Sequence, residues 1–204
     1  MTGVFSTARA AERSTVLILG DSLSAAYNIA IEDSWPQLFR TKLGTLGRDL
    51  QLVNASISGE TTVGGRQRLP DLLERHQPDY LILELGGNDG LRGYRFADTR
   101  DNLQAMIDMA LQRGAGVLLV GVRLPPNLGP IYNQRFQDVY RTLADNNPVV
   151  YLPRFLEGVA ADDPDLMQAD GIHPTAKAQP ILARRVFTYF KQLLEASSKP
   201  LATQ

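Results

Sequence analysis

Residues 15–19 read TVLIL, a short run of apolar and β-branched side chains that ends at Gly20. A run of this length and composition is typical of a strand that is buried on both faces of a parallel sheet. Four further runs of the same character predict four more strands, at residues 52–53, 80–85, 117–122 and 149–152. The sequence therefore predicts a five-stranded sheet.

Segments with apolar residues at helical spacing alternate with these strands. Ser34 is placed to cap a helix that carries Pro36 in its first turn. Pro70 implies either a kink or a late start for a second helix. The predicted helices lie at residues 34–43, around 69–73, at 98–112 and at 176–194. This alternation predicts an α/β fold, a flavodoxin-like three-layer α/β/α sandwich around a mostly parallel sheet.

The length and composition fit one domain, since 204 residues with 44% hydrophobic content can bury one sizeable core. We assign residues 14–196 to that domain. Residues 1–13 are interpreted as a disordered N-terminal segment or the remnant of a leader, and residues 197–204 as a flexible C-terminal tail. No run approaches the roughly 18 apolar residues of a membrane span, so we expect no stable membrane insertion.

Charge and cysteine content exclude several classes of protein. The 21 basic and 22 acidic side chains are scattered along the sequence rather than grouped in blocks, and the net charge is -1, so the sequence does not indicate a nucleic-acid partner. The absence of cysteine excludes a disulfide framework, a thiolate zinc site and a cysteine nucleophile. We further expect the protein to be a monomer.

Glycines and polar residues follow the predicted strands. Ligands of such a sheet collect outside the carboxyl ends of its strands, so these loops are the candidates for chemistry. They contain GDSL at residues 20–23, NASISG at 54–59 and GGND at 86–89, and DGIHP at 170–174 precedes the last helix.

These segments contain the parts that serine hydrolysis of an acyl bond requires: a nucleophile, a base, a group that orients the base, and donors for an oxyanion. Ser22 is the candidate nucleophile, and His173 is its base, oriented by Asp170. The backbone N–H groups of Ser22 and Gly59 and the side-chain amide of Asn88 are candidate donors of an oxyanion hole. The chain order Ser, Asp, His is that of the α/β-hydrolases.

The same segments resemble the sequence blocks of the GDSL, or SGNH, hydrolases over about residues 16–187. The resemblance implies the SGNH hydrolase fold, Ser22, Asp170 and His173 as the catalytic triad, and Ser22, Gly59 and Asn88 as the oxyanion hole. Position 24 is Ser rather than the last Gly of a G-x-S-x-G elbow, so the sharp turn of the α/β-hydrolases is not implied.

The resemblance also implies an activity. Bacterial enzymes of this type hydrolyse acyl-CoA, lysophospholipids and aryl or alkyl esters, need no metal or cofactor, and are often exported to the periplasm. We therefore expect a serine esterase and thioesterase that acts on a small-molecule acyl ester or thioester without a cofactor. The expected location is the periplasm, with the cytoplasm as the alternative.

Other interpretations stay open at this point. The same blocks serve carbohydrate O-deacetylases, and a flavodoxin-like fold could be a binding module without catalysis. Ser22 alone could cap a helix, and Gly59 could serve only a turn. Asp21 and Asp89 could join the triad's Asp and His in a metal site, but Asp after a strand is usually a cap or turn former, so no metal is expected.

Apolar residues in two loops predict where an acyl chain binds. Leu91 and Tyr94 follow the third strand, and Leu124, Pro125 and Leu128 follow the fourth. We expect these five residues to line a groove for a medium or long acyl chain. The alternative is that they only cover the edge of the sheet.

Overall fold

A computed structural model describes residues 13–159 and 163–197. The predictions of a leader remnant and of a flexible tail concern residues that lie, apart from Arg13 and Ser197, outside this described part. The five predicted strands form one sheet in the order β2-β1-β3-β4-β5, and all neighbours are parallel. The strands are β1 (Ser14–Gly20), β2 (Leu50–Asn54), β3 (Tyr80–Glu84), β4 (Gly116–Val120) and β5 (Val150–Leu152).

Strand β1 lies at the centre of the sheet, next to β2 and β3. Its residues 16–19 are fully buried, as the apolar run TVLIL predicts for a strand covered on both faces. Gly20 pairs with Glu84 at the carboxyl ends of β1 and β3. Because the strands are parallel, the loops that follow them meet at one edge of the sheet.

Helices cover both faces of the sheet. Helices α1 and α6 pack together on one face, and α2, α4 and α5 pack on the other. The predicted three-layer α/β/α sandwich is therefore confirmed. In the described ranges no helix is long and apolar enough to cross a membrane. The helices are α1 (Trp35–Leu43), α2 (Thr62–His76), α3 (Gly87–Leu91), α4 (Phe96–Gln112), α5 (Pro130–Asn146) and α6 (Gln179–Ser197).

Helix α5 was missing from the predicted helices. Its buried residues are Phe136, Val139, Tyr140 and Leu143, at the spacing of one helical face. The first two turns of α5, which begin at Pro130, are rich in polar residues. The apolar face of the helix is therefore not apparent in this part of the sequence. The helix is needed because β4 and β5 are parallel, and a parallel pair requires a crossover connection.

Two predicted helix starts need correction. Helix α2 begins at Thr62 after Thr61, whose hydroxyl accepts a first-turn N–H, so Pro70 lies inside the helix and a late start is wrong. Pro70 is exposed there. Ser34 does precede α1, but its side chain makes no capping hydrogen bond. Its hydroxyl donates instead to the carbonyl of Ile31 at 2.6 Å.

Candidate active site

The strand-end loops bring together three residues that are distant in the chain. The distance from His173 Nε2 to Ser22 Oγ is 2.8 Å, although 151 positions separate the two residues. On the other side of the ring, His173 Nδ1 lies 2.7 Å from Asp170 Oδ2. A hydroxyl, an imidazole and a carboxylate in hydrogen-bonded series have the geometry of an activated nucleophile, its base and the group that orients the base.

The Asp170 carboxylate is held beside the ring by its own turn. Its Oδ1 accepts the N–H groups of Ile172 and His173 at 2.9 and 3.0 Å. Gly171 permits this turn because its φ of 66° is in the left-handed region. Burial alone would raise the pKa of Asp170, but the hydrogen bonds from His173 and Ile172 outweigh it and lower that pKa to about 2. The carboxylate is therefore ionised at neutral pH.

The loop that carries Ser22 is fixed by hydrogen bonds from two side chains outside the loop. The indole N–H of the fully buried Trp35 donates to the carbonyl of Leu23 at 3.0 Å. The side-chain amide of Asn54 donates to the carbonyl of Ser24 at 2.8 Å. The segment around Ser22 is a series of turns, so no helix begins at this residue.

A carboxyl group lies buried beneath this loop. Glu84 Oε2 accepts the hydroxyl of Ser24 at 2.7 Å and the N–H of Asp21 at 3.3 Å. A Cβ atom on residue 20 would lie 2.8 Å from the same oxygen, so the close approach requires Gly20. Burial and the neighbouring Asp21 carboxyl raise the pKa of Glu84 well above its ordinary value. This shift favours the protonated form of the Glu84 carboxyl beneath the loop.

We predict that Glu84 makes the stability of the fold depend on pH. Because its folded pKa is raised, the unfolded chain loses this proton above about pH 4.5 while the folded chain keeps it. The free energy of unfolding should therefore fall as pH rises, by up to roughly 1 kcal/mol per pH unit from this group.

Urea unfolding of the wild type and of Glu84→Gln between about pH 5 and 8 measures this effect. The amide cannot ionise, so the stability of the wild type relative to the variant should decline with rising pH. Parallel curves for the two proteins would contradict a protonated Glu84. The test is the change of the free energy of unfolding with pH. The absolute stability of Glu84→Gln is not the test, because it also depends on whether the new amide nitrogen finds a hydrogen-bond acceptor.

Two backbone donors are available for an oxyanion. The N–H groups of Ser22 and Gly59 donate to no acceptor in the described part of the chain, and both residues line the same cleft. Gly59 has a φ of 79°, a conformation that favours glycine. Unpaired N–H groups beside a nucleophile are what an oxyanion hole requires.

The third predicted donor, Asn88, is engaged in this ligand-free arrangement. Its side-chain nitrogen donates to the carbonyl of Glu60 at 2.9 Å and to Asp21 Oδ2 at 3.1 Å. Burial raises the pKa of Asp21 to about 6, against the opposing effect of its hydrogen bonds. Next in the chain, Asp89 accepts both the N–H and the hydroxyl of Thr62, which fixes this loop to the start of α2.

The ring of Tyr27 lies against the catalytic imidazole. The two ring centroids are 4.2 Å apart, at an interplanar angle of 32°. Gln168 links the two loops, because its side-chain amide donates to the carbonyls of Tyr27 and Pro174. Tyr27 thus positions His173, a contact that the sequence did not indicate.

A cleft of about 600 Å³ opens at the triad. Of the five predicted acyl-binding residues, Leu91, Leu124 and Pro125 line it. Tyr94 and Leu128 line a separate groove instead. The apolar wall of the cleft also includes residues that were not predicted, from the loops after β1, β4 and β5 and from the His173 loop: Leu23, Tyr27, Val122, Leu156, Met167 and Ile172.

The two acidic residues considered for a metal site, Asp21 and Asp89, accept hydrogen bonds from protein groups. Asp89 binds Thr62, and Asp21 binds the N–H of Leu23 and the amide of Asn88. Among the residues of the described ranges, no cluster of three or more His, Cys, Asp or Glu side chains could hold a metal ion. The triad, the unpaired N–H groups and the apolar cleft therefore remain as the chemistry of this site.

This fold and this site define a serine hydrolase. The sequence model of the GDSL-like lipase/acylhydrolase family matches residues 18–180, and the chain belongs to that family. It is therefore an ester-hydrolysing enzyme, as its sequence predicted.

Curated relatives cover most of this chain. The chain is 46% identical to esterase TesA of Pseudomonas aeruginosa, over 88% of its own length and 89% of the relative's. It is 45% identical to thioesterase 1/protease 1/lysophospholipase L1 of Escherichia coli strain K12, over 88% of this chain and 85% of that protein. A crystal structure of TesA matches with a TM-score of 0.86 at 46% identity, covering 88% of this chain and 99% of that one. The SGNH hydrolase fold is thereby confirmed.

Proposed function

We propose that the protein hydrolyses acyl esters and thioesters, among them aryl and alkyl esters, acyl-CoA and lysophospholipids, through an acyl-enzyme on Ser22. The observation that carries the proposal is the 2.8 Å contact between His173 Nε2 and Ser22 Oγ beside an apolar cleft. The two relatives described above are named as an esterase and as a thioesterase and lysophospholipase, and these names support the same substrate classes.

In the first half of the reaction, Ser22 Oγ attacks the acyl carbonyl and gives its proton to His173 Nε2. The Asp170 carboxylate accepts a hydrogen bond from Nδ1–H, which keeps Nε2 free of hydrogen before the attack and stabilises the imidazolium after it. The tetrahedral intermediate collapses when His173 returns the proton to the departing alcohol or thiol. Water then repeats the sequence on the acyl-enzyme and releases the carboxylic acid.

The negative oxygen of the tetrahedral intermediate can accept hydrogen bonds from two unpaired N–H groups, those of Ser22 and Gly59. Asn88 supplies a third donor if the oxyanion replaces Asp21 as acceptor of one amide hydrogen. That exchange is favourable when Asp21 is protonated, and burial moves the pKa of Asp21 upward, to about 6. The displaced amide hydrogen would thus leave a carboxyl that is neutralised more readily than an ordinary aspartate side chain.

A guanidinium at the cleft favours substrates that carry phosphate. Arg123 lines the cleft, is exposed, and forms no ion pair with any residue of the described ranges. The other arginine of the cleft, Arg154, is paired with Glu157 at 2.6 Å. An unpaired arginine beside an acyl cleft suits the phosphate groups of acyl-CoA and of lysophospholipids.

A fluorophosphonate probe, an acyl series of p-nitrophenyl esters and an acyl-CoA together test this function. The probe should label the wild type and leave Ser22→Ala unlabelled, and the wild type should hydrolyse the decanoate ester and the acyl-CoA. Hydrolysis of acetyl groups alone would favour the carbohydrate deacetylase. Absence of labelling would favour the binding module; no feature of the cleft or of the named relatives favours either alternative.

We predict that Leu91 selects for long acyl chains. Leu91→Ser should lower kcat/KM about tenfold for p-nitrophenyl decanoate and much less for the acetate, because only a long chain buries area against this side chain. Val63→Ser is the matched control, since Val63 is similarly exposed, at 45% against 39%, but lies outside the cleft. Equal losses for the two esters in Leu91→Ser would remove Leu91 from the acyl site.

Three further expectations stay predictions. The periplasmic location, with its cytoplasmic alternative, depends on a leader that would fall in residues outside the described part. The monomeric state and the lack of a nucleic-acid partner also remain predictions made from the sequence.

A further inference from the structure

The exposed large apolar side chains of the described residues share one edge of the molecule. Each lies in a loop or first helical turn that follows the carboxyl end of a strand, the edge that carries the active site. Scattered single residues of this kind would need no explanation, but a set confined to one face marks an interaction surface. The residues are Tyr27, Ile31, Ile57, Val63, Leu91, Tyr94, Leu128 and Ile131.

Half of this edge is basic. Residues 90–97 and 121–137, which follow β3 and β4, contain arginine as their only charged residue type. We call the arginine rim the surface formed by four of the exposed apolar residues and three arginines from these two segments. Its members are Leu91, Tyr94, Leu128 and Ile131 with Arg92, Arg95 and Arg135.

The members of the rim are neighbours in space. Tyr94, Arg95, Leu128, Ile131 and Arg135 line one groove of about 530 Å³, and Leu91 lines the catalytic cleft. Arg95 is paired with an acid, Asp98, in an exposed contact at 2.6 Å. Arg135 forms no ion pair with any residue that the structure describes.

The other half of the edge has the opposite charge. Ile31, in the loop after β1, is followed directly by Glu32 and Asp33, and all three are exposed. Ile31 thus lies beside carboxylates, whereas the apolar residues of the rim lie among guanidinium groups. The two halves should therefore differ in their affinity for an anionic surface.

We propose that the arginine rim docks the enzyme onto the surface of anionic phospholipid. Apolar side chains enter the boundary between head groups and acyl chains, and arginines bind the phosphates around them. A second copy of this chain is a poorer occupant, because a two-fold contact through the rim would set arginines against arginines. The proposal rests on the proposed function, since docking here presents acyl chains to the cleft beside Leu91.

Vesicle sedimentation with the Ser22→Ala protein tests docking without lipid hydrolysis. Binding is expected to phosphatidylglycerol vesicles, far less to phosphatidylcholine vesicles, and to weaken as salt is added. In this background Ile131→Asp and Arg135→Glu should each weaken binding to phosphatidylglycerol about tenfold. The matched control is Ile31→Asp, because Ile31 and Ile131 are 69% and 70% exposed and both precede or begin a helix.

Ile31→Asp should leave vesicle binding within about twofold of its parent. Equal losses from Ile31→Asp and Ile131→Asp, equal binding to both lipids, or no binding would each overturn the proposal. A dimer in sedimentation velocity that Ile131→Asp dissociates, without vesicle binding, would assign the rim to a second copy. In the active enzyme, Ile131→Asp should still hydrolyse p-nitrophenyl esters, because Ile131 lies outside the cleft. This measurement distinguishes a loss of docking from a loss of catalysis.

Discussion

His173→Ala is expected to lower kcat for p-nitrophenyl esters about 10⁶-fold, and Ser22→Ala by a similar factor. The reason is geometric: one imidazole nitrogen lies 2.8 Å from the serine hydroxyl and the other lies 2.7 Å from a carboxylate. Removing either residue breaks the only route by which the hydroxyl loses its proton in the described site. Because the two residues act as a unit, the double variant should be little slower than either single one.

The chain offers a matched control for this measurement. His76 is the only other histidine; it is the last residue of α2, at the opposite end of that helix from Thr62, and it does not line the cleft. His76→Ala should therefore keep wild-type kcat, whereas the triad variants lose nearly all of it. Circular dichroism of the inactive proteins checks that they remain folded. Loss of less than about a hundredfold in His173→Ala would mean that another group takes the proton.

Asp170→Asn is expected to lower kcat about 10⁴-fold, the second-largest effect in the molecule. The carboxylate accepts the Nδ1 hydrogen at 2.7 Å, whereas an amide nitrogen turned toward the ring would stabilise the tautomer with hydrogen on Nε2. In that tautomer the imidazole cannot deprotonate Ser22. The N–H groups of Ile172 and His173 can still bind an amide oxygen, so the turn itself should persist.

Asp165→Asn is the control for the loss of a carboxylate from the same region of the chain. Asp165 pairs with Lys177 at 2.8 Å, and both side chains are well exposed, so the ion pair contributes little to stability. Asp165→Asn should therefore keep activity close to that of the wild type. Steady-state kinetics of both variants near neutral pH provide the comparison. A similar small loss in the two variants would show that Asp170 does not orient the base.

The sequence predicted the parts of the site that depend on short segments. DGIHP places a carboxylate three residues before a histidine, and the turn at Gly171 is enough to bring the two together. The parallel order of the strands then predicts that Ser22 and Gly59 meet this segment at one edge. These inferences need only the positions of the apolar runs that form the strands and the rule that ligands collect at the carboxyl ends of parallel strands.

The parts that the sequence did not predict depend on contacts between segments. Glu84 is the last residue of β3, and the residues before it in that strand are apolar. No feature of this short segment indicates that the Glu84 carboxyl lies beneath the loop of Ser22. Tyr27 reaches the imidazole only because the loop after β1 folds back over it. Leu91 ends the short helix α3 and Tyr94 lies three positions later, yet the two line different cavities, because the direction of each side chain is set by tertiary packing.

The support beneath Ser22 has a consequence for protein engineering. Transplanting the tetrapeptide GDSL onto another parallel sheet would carry over the reactive hydroxyl without its foundations, because the acceptor and donors that fix it come from Glu84, Asn54 and Trp35. Position 20 must be glycine because a Cβ atom there would lie 2.8 Å from the Glu84 carboxyl oxygen and 2.9 Å from the side chain of Ser24. A successful graft therefore has to move residues 20 and 84 as a pair, together with the indole and the amide that anchor the loop from either side.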